Sequence, residues 1–405
     1  MPIKNRFAEL FPQIVNWRHD FHRNPELQYE LPKTAGKVAD LLREFGCDEV
    51  VEGIGKMGVV GIVCGQVDKS GRVIGLRADM DALPISEKSG VSYTSEIPGV
   101  MHACGHDGHT SMLLGAAKYL CETRNFDGKA AVIFQPAEEG GAGAKAMIDD
   151  GLVSRFGIDE FYGIHNMPGI QTGKFAIRKG PLMASADRFK IILTGRGGHA
   201  AMPHLAVDTT LIAAQILVSL NLIVSRSIDP LKRVVLTAGT FKTDSSALNV
   251  IANSVELEGS VRSLDEDMRD IVQERLYEVA EGTAVANQCK ITIEYERGYP
   301  VTDNHEEATQ HAISVASDVS EVDTDTPPIM PSEDFSYFLM EKPGAFIFLG
   351  NGDSQMLHNP GYIFDDEAIP FGSSWYAGMV EELSLIHISE PTRPRLISYA
   401  VFCLK

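Results

Sequence analysis

One cysteine and several histidines and glutamates stand at positions where they could bind metal ions. Cys104-Gly105-His106-Asp107 is followed by the pair Glu138-Glu139, then by His165 and, much later, by His358. Thiolate, imidazole and carboxylate groups are the usual protein ligands of zinc and related divalent ions. Five such ligands and one spare carboxylate are what a hydrolase with two metal ions needs. The sequence therefore predicts a metallohydrolase.

Each of these residue types also has a common structural role. A single histidine is more often a hydrogen-bonded structural residue than a ligand, and a single cysteine is more often a small buried hydrophobic residue. Their joint occurrence favours chemistry, because Cys104 and His106 follow a loop stretch, where functional groups are frequent. Glu138 and Glu139 directly follow an apolar strand. Neighbouring side chains point in different directions, so one glutamate can bind metal while the other acts as a base.

The elements that would position these groups alternate between amphipathic helices and short apolar strands. In chain order we predict helices in 11–22 and 34–42, strands at 59–63 and 73–79, a helix at 109–120 and strands at 130–135 and 346–350. This alternation predicts an α/β fold with a mostly parallel central sheet covered on both faces. Functional groups then collect at the carboxyl ends of the strands.

From about Ala184 the pattern changes to a β-α-β-β-α-β order, which is the ferredoxin-like arrangement. The predicted elements are strands at 187–195, 234–240, 255–262 and 290–297 and helices at 209–224 and 266–285. We therefore predict an inserted α+β domain at 184–297 and a discontinuous catalytic domain made of 1–183 and 298–383. Residues 384–405 change to a basic, proline-containing composition, and we interpret them as an extension foreign to the fold, such as a frameshift or cloning read-through.

Composition limits the possible partners. The 405 residues carry a formal net charge of −19 with a pI near 5.0, which argues against a nucleic-acid surface. No uninterrupted apolar run approaches the roughly 20 residues of a membrane span. The six cysteines are scattered without a paired rhythm, and the opening segment lacks an apolar signal core. We expect a cytoplasmic protein that acts on small molecules.

Six motifs resemble one known family. They are RADMDALPI (Arg77–Ile85), MHACGHDGH (Met101–His109), QPAEE (Gln135–Glu139), GGHAAMPH (Gly197–His204), SEDF (Ser332–Phe335) and LHNP (Leu357–Pro360). In this order they are similar to the N-acyl-amino-acid amidohydrolases, the hippurate hydrolase and auxin-conjugate hydrolase branch of the dimetal aminoacylase and carboxypeptidase superfamily. The resemblance covers roughly residues 11–383 and implies a dimetal exopeptidase-like catalytic domain with an inserted lid and dimerisation domain.

The resemblance also implies residue roles. Cys104 is expected to bridge two divalent ions, with His106 and His165 on one ion and Glu139 and His358 on the other. Glu138 is expected to act as the general base that takes a proton from the attacking water and later carries it to the leaving amine. His199 would stabilise the oxyanion, reaching the active site of a partner subunit in a homodimer or higher oligomer. Asn249 and Arg262 are expected to bind the free carboxylate of the substrate. Asp79 and Asp81 are expected to orient the metal ligands.

Several alternatives stay open at this stage. The same scaffold suits a dipeptidase or aminopeptidase, and a non-catalytic metal or small-molecule binding protein could keep the fold. A redox-sensing thiol protein centred on Cys104 lacks a nearby resolving cysteine in the sequence. The metal could be zinc, manganese, cobalt or nickel. His109 is expected to open its helix and not to bind metal.

Overall fold

The computed structural model describes residues 5–389, with side chains described up to residue 384. The helices are α1 (Asn5–Arg23), α2 (Pro32–Phe45), α3 (His106–Thr123), α4 (Glu138–Gly141), α5 (Gly143–Asp149), α6 (Leu152–Phe156), α7 (Thr209–Arg226), α8 (Glu266–Ala286), α9 (Glu306–Val319), α10 (Ser336–Glu341) and α11 (Ile369–Ser389). The strands are β1 (Glu49–Ile54), β2 (Gly58–Cys64), β3 (Val73–Asp79), β4 (Lys129–Gln135), β5 (Glu160–Met167), β6 (Phe175–Ala176), β7 (Gly180–Met183), β8 (Asp187–Thr194), β9 (Gly198–His199), β10 (Val234–Thr243), β11 (Val250–Ile251), β12 (Ser254–Ser263), β13 (Lys290–Arg297), β14 (Thr302–Asn304), β15 (Val322–Asp323) and β16 (Gly344–Gly350).

The larger sheet has a parallel centre. Within residues 5–389 its strand order is β1-β2-β4-β3-β5-β16-β6-β15. The pairs β4/β3, β3/β5 and β5/β16 are parallel, whereas β1, β2 and β6 add antiparallel pairs towards the edges. This confirms the predicted α/β class and its mostly parallel sheet. Strand β1, which is only partly buried, was not predicted from the sequence.

Both faces of the larger sheet are covered, and the strands show why. Successive residues of β4 point to opposite faces, so Val132 packs in one apolar cluster and Ile133 in the other. The first cluster includes side chains from α1, α2, α3, α9 and α11, and the second includes Met147 of α5 and Phe338 of α10. A strand buried on both sides reads as a continuous apolar run, which is the pattern of β2, β3, β4 and β16.

The smaller sheet is antiparallel throughout, in the order β10-β12-β8-β13. Its chain order of strands and helices, with α7 and α8 on one face, is the β-α-β-β-α-β order predicted from the sequence. Ile191 of β8, Ile216 of α7 and Leu276 of α8 lie in its core. The domain boundaries at 183/184 and 297/298 stay a prediction.

Among residues 5–389, α7 is the one helix long and apolar enough to cross a membrane by length and composition, and 33% of it is buried. Its Ile212, Ile216 and Leu220 lie in the apolar core that the smaller sheet forms with α7 and α8. Packing against the smaller sheet and α8 accounts for this buried face of α7, whereas Leu211, Val218 and Leu222 are exposed.

Two helix boundaries differ from the sequence prediction. Helix α3 begins at His106, because Gly105 adopts the left-handed conformation that precedes it, so the prediction that His109 opens this helix is wrong. Helix α11 continues to Ser389 instead of ending near Leu383. Residues 384–405 were interpreted as a foreign extension. From residue 390 onwards this interpretation lies outside the described residues.

Candidate metal centre and active site

The predicted ligands meet beyond the carboxyl ends of the central parallel strands. β3 ends at Asp79, β4 ends just before the Glu138-Glu139 pair, and His165 lies near the end of β5. Cys104 and His106 flank the glycine that precedes α3. His358 arrives from the loop after β16, where its backbone N–H donates to Ala103 O at 2.8 Å. Sheet topology thus brings together residues that are far apart in the sequence.

These side chains form two groups that share Cys104. One group is Cys104, His106 and His165, and the other is Cys104, Glu139 and His358; within each group the ligand atoms lie within 4.8 Å of one another. Cys104 Sγ is 3.5 Å from His165 Nε2, and Glu139 Oε1 is 3.2 Å from His358 Nε2. These two groups divide the ligands as the motif resemblance implied, and the assignment of one ion to each group stays a prediction. His106, Glu138 and Glu139 form a further group of this kind.

His109 lies close to the same cluster but has no free ring nitrogen. Its Nδ1 is 2.6 Å from Asp79 Oδ1, and its Nε2 accepts a hydrogen bond from Asn166 N at 2.9 Å. The accepting Nε2 places the proton on Nδ1, which therefore donates to Asp79. These contacts make His109 a support for Asp79 and the end of β5. Asp79, His106 and His109 also offer ligand atoms within 4.8 Å of one another, so the expectation that His109 does not bind metal stays a prediction.

Gly105 permits the turn between Cys104 and His106. Its φ is +86°, and a Cβ at this position would lie 2.3 Å from Asn166 Nδ2 and 2.6 Å from Tyr362 Oη. Asn166 Nδ2 in turn donates to Cys104 O at 2.6 Å, and Tyr362 Oη donates to Asn166 Oδ1 at 2.6 Å. The buried amide therefore fixes the backbone of the two neighbouring ligands.

We expect Gly105→Ala to destabilise the fold by about 3 kcal/mol, because left-handed strain and a steric clash add up. Gly99→Ala is the matched control, since Gly99 has φ +79° but a Cβ there would meet no other atom within 4 Å. That control should lose only about 1 kcal/mol. Chemical denaturation of the two variants and the wild type measures the difference, and equal losses for both variants would contradict the steric argument.

Asp81 fixes the backbone of the glutamate pair. Its Oδ1 accepts from Glu138 N at 3.0 Å and its Oδ2 accepts from Glu139 N at 3.1 Å. Asp81 Oδ1 also lies 3.4 Å from His106 Nδ1. One buried carboxylate therefore links the loop of the proposed base to a proposed ligand, which is the orienting role expected of Asp81.

Asp79 belongs to a buried charge network that joins segments far apart in the sequence. Arg77 Nη1 donates to Asp79 Oδ2 at 2.8 Å, and Arg77 Nη2 lies 3.0 Å from both Glu333 and Asp334. Glu138, Glu333 and Asp334 each offer an oxygen within 4.8 Å of the others. A buried arginine thus compensates carboxylates that would otherwise repel one another. Glu333 and Asp334 belong to the SEDF motif, but the spacing of that motif did not indicate that they contact Arg77.

The electrostatics of the cluster favour a cation. Burial and the carboxylates of Glu139 and Glu138 raise the pKa of the Cys104 thiol well above its usual range. Burial lowers the pKa of His106, but Asp79 and Asp81 outweigh it and raise that pKa to about 10. Burial is the largest cause of the Cys104 shift, and the negative charge of the cluster contributes to the rise of both pKa values. Divalent ions would neutralise that charge and displace the protons from thiol and imidazole.

The hydrogen bonding of the two buried histidines also fits metal binding. Neither ring nitrogen of His106 makes a hydrogen bond within the described residues, although its side chain is fully buried; the nearest oxygens of Asp81 and Asp79 lie 3.4 and 3.7 Å away. His165 Nδ1 donates to Asn166 O at 2.7 Å, which leaves the Nε2 lone pair facing Cys104. Burial and the neighbouring His109 lower the pKa of His165 well below its usual range, so it is a neutral imidazole. Buried polar atoms without partners are rare in folded proteins.

The environment of Glu138 differs from that of Glu139. Burial, the charge of Glu333 and that of Glu139 raise the pKa of Glu138 well above the usual value. Burial opposes ionisation of Glu139 too, but hydrogen bonding to His358 and the charge of His106 lower its pKa. Two adjacent carboxyl groups whose environments separate their pKa values suit different tasks, one as a proton carrier and one as an anionic ligand.

His199, Asn249 and Arg262 lie on the smaller unit, outside the metal-ligand groups of the described chain. His199 on β9 pairs with Val250 on β11, so Asn249 lies beside it, and both are exposed. Arg262 at the end of β12 is half-buried and donates to Ser332 Oγ at 2.8 Å. Arg262 therefore reaches the segment that carries Glu333.

Asp107, the residue after His106, is held by two side chains that were not predicted from the sequence. Asp107 Oδ2 accepts from Arg18 Nη1 at 3.0 Å and lies 2.8 Å from His22 Nδ1. Both partners come from α1, and nothing in the local sequence connects them to α3. The contact depends on how α1 packs against α3.

The fold is that of the dimetal exopeptidase class. The chain belongs to peptidase family M20/M25/M40, whose family model matches residues 75–382. It is 44% identical to the hippurate hydrolase of Campylobacter jejuni over 91% of this chain and 97% of that protein. It is 40% identical to the N-acetyl-L-cysteine deacetylase of Bacillus subtilis over 89% of this chain and 86% of that protein.

A solved structure extends the comparison. The Bacillus subtilis YXEP protein, described as a dinuclear metal binding peptidase from the M20 family, matches with a TM-score of 0.82 and 30% identity, over 93% of this chain and 99% of that one. The resemblance inferred from the six motifs is therefore confirmed, and the chain is an amidohydrolase.

Proposed function

We propose that this protein hydrolyses the amide bond of N-acyl and N-aroyl amino acids of the hippurate type, releasing a carboxylic acid and a free amino acid. The observation that carries the proposal is the pair of ligand groups sharing Cys104, with the spare carboxyl of Glu138 beside them. A binding protein would have no use for that extra carboxyl. The named activities of the two relatives, both hydrolases of acylated substrates, support the same substrate class.

We assign the two ions to Cys104, His106 and His165 on one side and to Cys104, Glu139 and His358 on the other. Divalent ions held there would polarise the scissile carbonyl and make a water acidic enough to react near neutral pH. The residues do not select the metal, and zinc, manganese, cobalt and nickel all suit this mixture of ligands.

Glu138 moves the protons in this proposal. Its carboxylate takes one proton from the attacking water and then delivers it to the amine nitrogen as the carbon–nitrogen bond breaks. The buried surroundings that raise its pKa make the protonated form accessible between the two steps. Asp81 keeps the peptide of Glu138 in place during both transfers.

Arg262 is suited to the free carboxylate of the substrate. Its guanidinium is half-buried and donates to the neutral hydroxyl of Ser332, so it is suited to receive an anion. Asn249 would add an amide donor from the smaller unit. N-Benzoylglycine compared with N-benzoylglycinamide tests this contact, because only the acid carries the charge. Equal values of kcat/KM for the two would remove the carboxylate from the proposal.

His199 is suited to donate a hydrogen bond to an oxyanion. Ala201 N donates to His199 Nδ1 at 3.1 Å, which places the ring proton on the exposed Nε2. We propose that this Nε2–H acts in the active site of a partner subunit. Leu211, Val218 and Leu222 form an exposed apolar face on α7, and such a face fits a homodimer interface.

We expect His199→Ala to lower kcat by about 10²-fold and to change KM little, because oxyanion donors act mainly in the transition state. Steady-state kinetics on N-benzoylglycine measures both constants. A change confined to KM would make His199 a binding residue.

Mixing two impaired variants tests the action in trans. Heterodimers of His199→Ala and Glu138→Gln contain one site with an intact base and an intact partner histidine. Activity should therefore rise well above that of either variant after the two are unfolded and refolded together, and an activity no higher than the average of the two variants would place His199 in its own subunit's site.

The substrate class is tested by amino-acid release from N-benzoyl, N-acetyl and indole-acyl amino acids beside free dipeptides. The protein is stripped with a chelator and restored with each of the four metals. Release from the acylated compounds is expected, whereas release from dipeptides alone would establish the peptidase alternative. A cytoplasmic location, expected from the scattered cysteines, stays a prediction.

A further inference from the structure

The loop that carries Glu138 and Glu139 has an unusual backbone. Ala137 before the pair has φ +54°, and Ala142 after it has φ +53°. Residues with a Cβ rarely adopt this left-handed conformation, so contacts from elsewhere must maintain it. Asp81 binds the N–H groups at the start of the loop. The end of the loop needs another partner.

That partner is the hydroxyl of Tyr299. It donates to Glu138 O at 2.5 Å and accepts from Ala142 N at 3.1 Å. A single hydroxyl therefore joins the peptide of the proposed base to the second left-handed residue. Its only proton is donated to Glu138 O, so we assign Tyr299 a supporting role in the loop and not proton donation to the substrate.

The main chain of Tyr299 belongs to the connection between the two sheets. Residues 298–301 join β13 of the smaller sheet to β14, and Tyr299 O accepts from Ala186 N, in the connection that enters the smaller sheet, at 2.9 Å. Gly298 N donates to Asp187 Oδ1 at 3.2 Å, and a Cβ on Gly298 would lie 2.3 Å from Ala186 O. The two connecting segments thus lie side by side, with the Tyr299 hydroxyl reaching from them to the Glu138 loop.

We propose that Tyr299 is a positioning residue that holds the Glu138 carboxyl in place from the connection between the two sheets. The proposal rests on the proposed function, because it takes Glu138 as the general base. Proton transfer requires the base at hydrogen-bond distance from the proton it removes, so a loosened loop slows the reaction. The proposed ligand Glu139 lies on the same loop, but its N–H donates to Asp81 and its carbonyl accepts from Gln28 Nε2 at 3.0 Å, so metal affinity should stay unchanged without the Tyr299 hydroxyl. Substrate affinity depends on other side chains.

Tyr299→Phe removes only the hydroxyl and keeps the ring. We expect kcat to fall about tenfold, with KM within about twofold and an unchanged metal content. Tyr337→Phe is the matched control, because its ring lies 6.0 Å from that of Tyr299 and its hydroxyl donates to Gly298 O at 3.3 Å, in the connecting segment and away from the Glu138 loop. The control should keep the wild-type kcat.

Hydrogen–deuterium exchange tests the same contact without an activity assay. In Tyr299→Phe the peptide that contains Ala142 should exchange faster, whereas in Tyr337→Phe it should exchange as in the wild type. If the wild-type protein cleaves no substrate with any metal, the proposed function fails while the exchange experiment still decides the positioning contact. Unchanged exchange in Tyr299→Phe, or an equal loss of kcat in both variants, overturns the proposal.

Discussion

Replacing Glu138 with glutamine should lower kcat by about 10²- to 10⁴-fold, the range that general acid–base catalysis typically contributes. Glutamine has nearly the same shape as glutamate but cannot accept and return a proton. The metal content should stay at the wild-type value, because Glu138 lies outside the two groups that share Cys104. Kinetics on N-benzoylglycine together with elemental analysis of the purified variant measures both quantities.

The stability of this variant separates lost chemistry from a damaged fold. Glu138, Glu333 and Asp334 are buried within 4.8 Å of one another, so a neutral side chain removes repulsion between like charges. We therefore expect the Glu138→Gln protein to melt at or above the wild-type temperature. Near-normal turnover would contradict the assignment of Glu138 as the base, and a melting temperature several degrees lower would attribute the loss of activity to misfolding.

Cys104→Ala should lose metal and activity together. Cys104 belongs to both ligand groups, so its removal weakens both sites at once. We expect the metal content to fall from about two ions per chain to well below one. Elemental analysis after dialysis against a weak chelator, with activity measured on the same samples, provides the test.

His358→Ala is the matched control for Cys104→Ala. His358 belongs to only one of the two groups and is the most exposed of the proposed ligands, with 53% of its side chain accessible. Its removal should leave the other ion bound. Equal metal losses in the two variants would contradict a bridging role for the thiolate, and full metal retention in Cys104→Ala would contradict its role as a ligand.

Much of the fold could be predicted because its signals are local. The apolar runs of β3 and β4 and the amphipathic patterns of α7 and α8 lie in single stretches of sequence, and their predicted bounds lie within a few residues of the observed ones. The ends of β3 and β4 then followed from the rule that parallel sheets present functional groups at their carboxyl ends. That rule is why Asp79 and the glutamate pair were identified before any contact was known.

The start of α3 at His106 was not predicted because Gly105 directly precedes it. A glycine in the left-handed conformation can begin a helix, but in a sequence it reads equally well as a turn residue. Strand β1 was missed because its alternation is weak and its residues are only partly buried.

The supports of the site could not be predicted because they join distant segments. Arg77 contacts Asp334, Arg18 contacts Asp107, and Tyr299 contacts Glu138, and in each pair the partners are separated by at least 89 positions in the sequence. No periodicity or short motif encodes such pairs. Chemistry-bearing residues were recognisable by type, whereas the groups that orient them became recognisable only through packing.

Metal titration of the stripped protein tests the central claim most directly. Chelator-treated protein should cleave N-benzoylglycine at a negligible rate, and added zinc or manganese should restore activity in a curve that saturates at about two equivalents per chain. The same titration of Glu138→Gln should show the same uptake of metal without recovery of activity. Full activity in the stripped protein, or uptake of no metal at all, would contradict the assignment of this cluster as a two-metal hydrolase site.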